Sequence, residues 1–356
     1  MNAGKDPSWV INAVAPIRIC DIGGWTDTWF AQYGAIFNIG VSPYAEVQVQ
    51  VFGDTGERRR AWLNVENYGD YYGVTLDEAD WDRHPLLEAS IRRMGVPKGI
   101  AVEITIYSGA PSGASTGTSA AISVALIGAL DCLTPARLTP QEIATTAHLV
   151  ETEMLGRQSG VQDQLCSAYG SINYIEVPEY PKAVVTPVKV PDEVWWELER
   201  RLSLIYLGRS HDSSQVHEKV IAEIEDAGPG CKQLEDLRVM AEASYDAISA
   251  GDFGALGMAM IGNTEAQARL HPELVSLDAR RVIEIAKEHE AIGWKVNGAG
   301  GEGGSLTLLC GRSAQAKRAM LREIEEESPL FKRIPIRLDR YGVRRWAEGK
   351  GPGIRN

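Results

Sequence analysis

The sequence predicts an α+β fold of two lobes sharing one cleft, and three observations carry that prediction. Strands crowd the first third of the chain, and residues 44–51 (Tyr-Ala-Glu-Val-Gln-Val-Gln-Val) alternate with period two, one face apolar. Two loops of small residues, at 108–118 and 297–304, each adjoin an apolar helix or strand. No repeat, linker or low-complexity tract divides the 356 residues, and a mixture of strands and helices recurs in both halves. An N-terminal unit over 1–190 and a C-terminal unit over 191–356 are expected.

The elements follow in order. Trp9–Val14 and Ile17–Ile22 read as strands, then Ala35–Gly40 and the alternating run. Gly53-Asp54 marks a turn before a strand over Trp62–Val65. Tyr68, Tyr71 and Tyr72, with Asn64 and Asn67, form a polar-aromatic stretch that reads as a surface loop rather than an adenine clamp. Pro85–Met94 reads as a helix, Gly99–Tyr107 as a strand, and Ser119–Leu130 as an apolar helix. Thr139-Pro140-Gln141-Glu142 is a helix start: Thr139 caps, Pro140 suits the first helical position, and Glu142 completes a capping box. That helix should run to about Leu155, where Gly156 stops it, before a loop and helix over Ser159–Ala168 and a strand at Ile172–Val177. The second half offers a strand at Leu202–Leu207 and helices near 213–226, 230–250, 254–268 and Ser276–His289. The glycine loop Asn297–Gly304, the strand Ser305–Cys310, a charged helix over Ser313–Glu327 and a strand at Ile334–Leu338 complete it.

Composition excludes several classes. With 44% hydrophobic and 24% charged residues the chain is ordinary and globular, not disordered. Its most continuous apolar run, Ala120–Leu130, is too short to span a bilayer, and the N-terminus carries no secretory pattern. A net charge of −12 argues against nucleic-acid binding, which needs surplus Lys and Arg. The C-terminal end is locally basic (Arg337, Arg340, Arg344, Arg345 among others), either an anion-binding edge or a solvated strand and tail. Five scattered cysteines without a CxxC pair point to a reducing, cytoplasmic compartment.

The loops carry the chemistry. In Pro111–Ala121 a strand ends and a helix begins at about Thr118, exposing unpaired N–H groups and the positive end of a helix dipole. The stretch reads as a tight helix entry or a phosphate cradle; it is not a Walker loop, for the Gly-Lys-Ser/Thr ending is missing. Five glycines within Asn297–Gly304 suggest backbone passing close to a ligand or to the first loop, or a plain turn. Arg18 stands between Ile17 and Ile19 and wants a carboxylate, for which Asp163 is a candidate. Asp163 itself is either a helix cap or a catalytic base, and Thr26-Asp27 a turn or a pair of hydroxyl-binding groups. His211 and His217, six apart, share no helical face and make a poor metal site; Ser213 or Ser214 suits a helix cap.

Three stretches in order, Ala15-Pro16-Ile17-Arg18 to Gly23-Gly24-Trp25-Thr26-Asp27, Pro111–Ala121 and Gly298-Ala299-Gly300-Gly301, resemble the GHMP kinases over about residues 10–340. Gly-Gly-Trp-Thr-Asp-Thr and Gly-Thr-Ser are similar to the fucokinase branch; Leu155-Gly156 to Gln162-Asp163-Gln164 and the length are similar to the heptose-7-phosphate kinase branch. The resemblance implies a ribosomal protein S5 domain 2-like N-terminal lobe plus a ferredoxin-like C-terminal lobe, with ATP and Mg2+ as cofactors. It implies an ATP cradle at Ser112, Gly113, Ala114, Ser115, Thr116, Gly117, Thr118 and Ser119, completed by Gly298, Gly300 and Gly301. Ser119 and Glu151 match the Mg2+ holders, Asp163 the general base, Arg18 its orienting cation and Asp27 a ligand for substrate hydroxyls; beside Asp27, the residues Thr26, Gly24 and His211 are expected near the sugar. Two departures stand out: Ser115-Thr116-Gly117-Thr118-Ser119 where the family usually reads Gly-Leu-Gly-Ser-Ser, and Glu302 where another glycine is common.

The implied reaction moves the γ-phosphoryl of MgATP to a sugar hydroxyl, the anomeric one, of a heptose 7-phosphate or a sugar such as fucose. A mevalonate- or homoserine-type kinase and a non-catalytic kinase-fold sensor are the alternatives. The expected partner is a small sugar or sugar phosphate, with no nucleic acid and no membrane; a homodimer is compatible.

Overall fold

Strand β1 (Trp9–Ile22) organises the molecule, because it is the place where the two lobes meet. The computed structural model describes residues 6–53, 60–76, 81–135, 137–208, 220–221, 224 and 227–349. β1 alternates buried and half-buried residues up to Val14 and is buried at every position from Ala15 onward. Successive side chains of a strand point to opposite faces, so both faces are covered there. Register shifts at Pro16/Ile17 and Ile19/Ile22 bend the strand against β2 (Gly34–Gly53), and Cys20 adopts left-handed backbone with φ 52°.

β2 pairs with β5 (Ile100–Ser108) along its second half and with β6 (Ile172–Glu179) along its first. β3 (Ala61–Val65) joins β5 in parallel, β4 (Asp70–Val74) joins β3, and β7 (Lys182–Pro187) joins β6. Tyr71 and Tyr72 therefore lie in a strand rather than in the expected loop.

Helices α1 (Pro85–Met94), α2 (Thr118–Asp131), α3 (Pro140–Leu149) and α4 (Gln162–Tyr169) pack together, with α2 and α4 against β1 and β2. α2 is apolar all round, as a helix at the centre of a lobe must be. The Thr139–Glu142 capping box forms as read, and the chain continues helically through a π-type turn, Val150–Met154, before Gly156.

The second lobe runs α5 (Asp192–Arg201), β8 (Leu202–Tyr206), α6 (Lys232–Ser249), α7 (Phe253–Leu270), α8 (Leu277–Glu288), β9 (Gly293–Val296), β10 (Ser305–Leu309), α9 (Ala314–Glu327) and β11 (Lys332–Ile334). Its antiparallel sheet has the order β11-β8-β10-β9, the ferredoxin-like arrangement. Leu306, Leu308, Val282, Ile285, Met320 and Ile324 fill its core.

β12 (Arg344–Gly349) corrects the expected division of the chain. It returns to pair with the outer edge of β1, and Leu338 bridges to Val41, so the tail belongs to the first sheet and not to the 191–356 unit. The basic residues of the tail are engaged there: Arg337 with Glu199, Arg340 with Asp192, Arg344 with Asp339 and Arg345 with Asp131. These pairs occupy the arginines of the tail, which speaks against an anion-binding edge, and dock it as a strand on the first sheet.

Candidate active site

The two glycine loops, remote in sequence, meet over β1. Arg18 donates its backbone N–H to Thr116 O at 2.9 Å and its Nη1 to Ser115 O at 2.5 Å. Gly298 sits at φ 62°, and a Cβ there would lie 3.0 Å from Ser115 Cβ and 3.4 Å from Arg18 Nη2. Gly117 enters α2 at φ 67°, where a Cβ would lie 3.2 Å from both Arg18 Cγ and Asp163 Cγ. Both positions therefore need glycine, for backbone angle and for space.

Beneath this junction Arg18 grips Asp163 with Nε to Oδ1 at 2.8 Å and Nη2 to Oδ2 at 3.3 Å. Burial works against the Arg18 charge, but Asp163 and Asp21 overcome it and hold the guanidinium pKa above its ordinary value. Asp163 opens α4 and remains about 30% exposed, so its carboxylate is held from one side and open to the cleft on the other.

Asp27 is buried at the start of the same helix, its Oδ2 accepting Val161 N–H at 2.9 Å and Gln162 N–H at 3.0 Å. Burial pushes its carboxyl pKa up to about 6 against those two donors. Asp27 and Gly24 both line the cleft, but Thr26 does not stand among the lining residues. Its fully buried hydroxyl donates to Gly23 O at 2.7 Å and accepts Ala35 N–H at 3.2 Å, so the expectation of a hydroxyl-binding Thr26 gives way to a structural role. His211 lies outside the described residues.

The cradle residues separate in kind. Ser112 is exposed and its carbonyl accepts Tyr206 Oη–H at 3.3 Å, Gly113 turns the chain at φ 72°, and Ala114 is buried. Thr116 and Thr118 hydroxyls pair at 3.2 Å, and Ser119 is exposed at the cleft. Gly300 answers to packing, since a Cβ there would lie 1.9 Å from Leu274 O, which also accepts Gly301 N–H at 3.3 Å. Glu302 is exposed while the glycines beside it are buried, so it stands on the solvent side of the loop.

Glu151 reaches the cleft from the π-type turn and accepts Gln164 Nε2–H at 3.0 Å. Burial raises its pKa, with Gln164 opposing. Glu151 is half-buried at the cleft wall, and a neighbouring cation favours its ionised form, as Arg157 does here. No group of three His, Cys, Asp or Glu side chains suited to a metal gathers among the described residues. Mg2+ takes one or two protein oxygens and fills its shell with phosphates and water, and Ser119 and Glu151 both offer an oxygen at the cleft wall.

Sequence reading missed Asp21 and Lys295. Lys295 is 1% exposed, and its Nζ donates to Asp21 Oδ1 at 3.3 Å, to Gln267 Oε1 at 3.2 Å and to Val296 O. Asp21 Oδ2 accepts Gly298 N–H at 2.9 Å, and Asp21 stands 3.8 Å from Arg18. Desolvation lowers the Lys295 pKa, and Asp21 opposes it. Asn297 adds to the joint, accepting Cys20 N–H at 3.1 Å. The available signal was a lysine between Trp294 and Val296 in a short apolar strand, the counterpart of Arg18 between isoleucines.

Together these elements wall a cleft of about 840 Å³. Trp25, Trp29, Phe30 and Ile221 supply apolar surface, and Ser119, Glu151 and Asp163 supply polar groups. A helix N-terminus, glycine-walled loops and an Arg-held carboxylate are groups suited to phosphoryl transfer on a small molecule.

Comparison with known proteins agrees. Residues 86–171 match the family model of the GHMP kinases N terminal domain. The chain is 27% identical over 302 residues to a D-glycero-alpha-D-manno-heptose 7-phosphate kinase of Campylobacter jejuni, covering 82% of this chain and 87% of that protein. It is 21% identical over 329 residues to a bifunctional fucokinase/GDP-fucose pyrophosphorylase of Arabidopsis thaliana, covering 88% of this chain but 31% of that longer protein. A solved D-glycero-D-manno-heptose 1-phosphate kinase from Bacteriodes thetaiotaomicron has the same fold, with a TM-score of 0.72 at 19% identity over 94% of this chain and 98% of that one. Residues 86–171 thus match the N-terminal domain of the GHMP kinases, and the kinases matched across most of the chain support an ATP-dependent phosphotransferase.

Proposed function

We propose that this kinase transfers the γ-phosphoryl of ATP to the anomeric hydroxyl of a sugar, a heptose 7-phosphate or a close relative, yielding a sugar 1-phosphate for nucleotide-sugar synthesis. The observation that carries the reading is Asp163, gripped by buried Arg18 under the junction of the two glycine loops and open to the cleft. The substrate class is supported by the Campylobacter jejuni relative, named as a heptose 7-phosphate kinase, which matches most of both chains.

Each residue has a task in this reading. The first turn of α2, entered through Gly117, offers backbone N–H groups and its dipole to the phosphates. Asp163 accepts the proton of the attacking hydroxyl, and Arg18 fixes the carboxylate in aim. Ser119 and Glu151 would hold Mg2+, which neutralises phosphate charge when bound. Asp27 holds the N-terminal end of α4 and so sets where Asp163 points.

The test is ADP release across a panel of sugars and sugar phosphates with wild type and Asp163→Asn. The variant is expected to keep its affinity for ATP and to lose roughly 10²–10⁴ in turnover, the usual worth of general acid–base catalysis. Turnover within a few-fold of wild type would remove Asp163 as the base, and release with no sugar would remove the sugar-kinase reading.

A further inference from the structure

The cleft is acidic. Asp21, Asp27, Glu151 and Asp163 line it against two described cations, Arg18 and Arg157. Arg18 is fully engaged: three of its nitrogens hold Asp163 and Ser115 O. Arg157 is not. Among the described residues its guanidinium has no ion-pair or hydrogen-bond partner, and the side chain is exposed at the cleft wall.

The backbone under Arg157 is fixed on both sides. Its N–H donates to Glu151 O at 2.9 Å, following Gly156 in the left-handed region at φ 63°. Downstream, Ser159 O accepts Tyr180 Oη–H at 2.8 Å, and Ser159 Oγ accepts Gln164 Nε2–H at 3.3 Å. Gly160 lies flat against Asp27, where a Cβ would come within 2.2 Å of Oδ2, and Val161 N–H is bound to that oxygen. A guanidinium with no direct partner, whose charge is felt by Glu151, can offer a dianion a fork from a tied loop, because its planar donors match phosphate oxygens in pairs. A phosphate ester entering a cleft of carboxylates needs such a cation.

We infer that Arg157 is the subsite for a phosphate already present on the sugar, so that the preferred acceptor is a sugar phosphate rather than a free sugar. The inference rests on the sugar-kinase reading for its ligand, and equilibrium binding tests it separately from turnover. Isothermal titration would compare D-glycero-D-manno-heptose 7-phosphate with the same heptose lacking phosphate, using wild type, Arg157→Ala and Arg157→Lys. Wild type should bind the phosphate ester at least 10-fold more tightly than the free sugar. Arg157→Ala should erase that preference without weakening the free sugar or ATP, and Arg157→Lys should keep part of it.

Equal loss on both sugars, a weakened ATP affinity, no preference in wild type, or an unchanged preference in Arg157→Ala would each overturn the assignment. ADP release measured on the same samples addresses the other reading. Arg157-dependent binding without turnover would remove the kinase reaction on this sugar and leave the subsite standing.

Discussion

Lys295→Met tests the joint between the lobes. In wild type the ammonium and the Asp21 carboxylate are 3.3 Å apart and both buried, an attraction of about 5 kcal/mol at an effective dielectric constant of roughly 20. Methionine fits the volume and removes the desolvation cost of the ammonium, but it leaves Asp21 short of a cation. Breaking one side of a buried pair typically costs about 3–5 kcal/mol. Here Asp21 keeps Gly298 N–H at 2.9 Å and Arg18 at 3.8 Å, so the loss should fall near the lower end, about 3 kcal/mol. Urea unfolding measures it, and Asp21→Asn with Lys295→Met closes a double-mutant cycle. The double variant should recover about 2 kcal/mol of the summed single losses, because it removes the uncompensated charge. Asp21 also holds the second glycine loop through Gly298, so Lys295→Met should raise the KM for ATP before the KM for the sugar. A single variant within about 0.5 kcal/mol of wild type, or an additive cycle, would refute the pair as a structural joint.

Two more predictions follow from the same geometry. Gly298→Ala forces a Cβ to 3.0 Å from Ser115 Cβ at φ 62°; it should cost about 1–2 kcal/mol of stability and raise the KM for ATP several-fold with little change for the sugar, as steady-state kinetics and unfolding would report. Asp27 has a folded pKa raised to about 6 from 3.8, so between those values the folded state holds a proton that the unfolded state releases. Stability attributable to Asp27 is therefore full at the acid end and falls as pH rises through about 6, by about 3 kcal/mol in all. Unfolding from pH 4 to 7 should show a flatter profile in Asp27→Asn than in wild type, and parallel profiles would contradict the assignment.

What could be read from the chain was what local chemistry dictates. Arg18 in an apolar strand had to find a carboxylate, and it found Asp163. The capping box at Thr139 fixes a helix start with four residues, and it forms. Five glycines near 300 implied close approach, and Gly298 does press on the first loop, but Gly300 presses on Leu274, an interaction no local pattern encodes. β12 illustrates the same limit: its pairing with β1 joins the two ends of the chain, and a basic tail reads alike whether it is solvated or docked on Asp131 and Asp339. Thr26 and Asp27 differ for a related reason. Both are polar residues after a Gly-Gly turn, but only tertiary contact decides that one hydroxyl closes the turn while the neighbouring carboxylate holds α4. Asp21 and Lys295 escaped notice because each looks like an isolated charge in a strand, and a buried charge declares its meaning only beside its partner. The site is thus legible in its individual groups and illegible in its joints. Those joints run from Gly298 through Asp21 to Arg18 and Asp163, which makes the alignment of the Gly298 loop and Asp163 a property of how the two lobes dock.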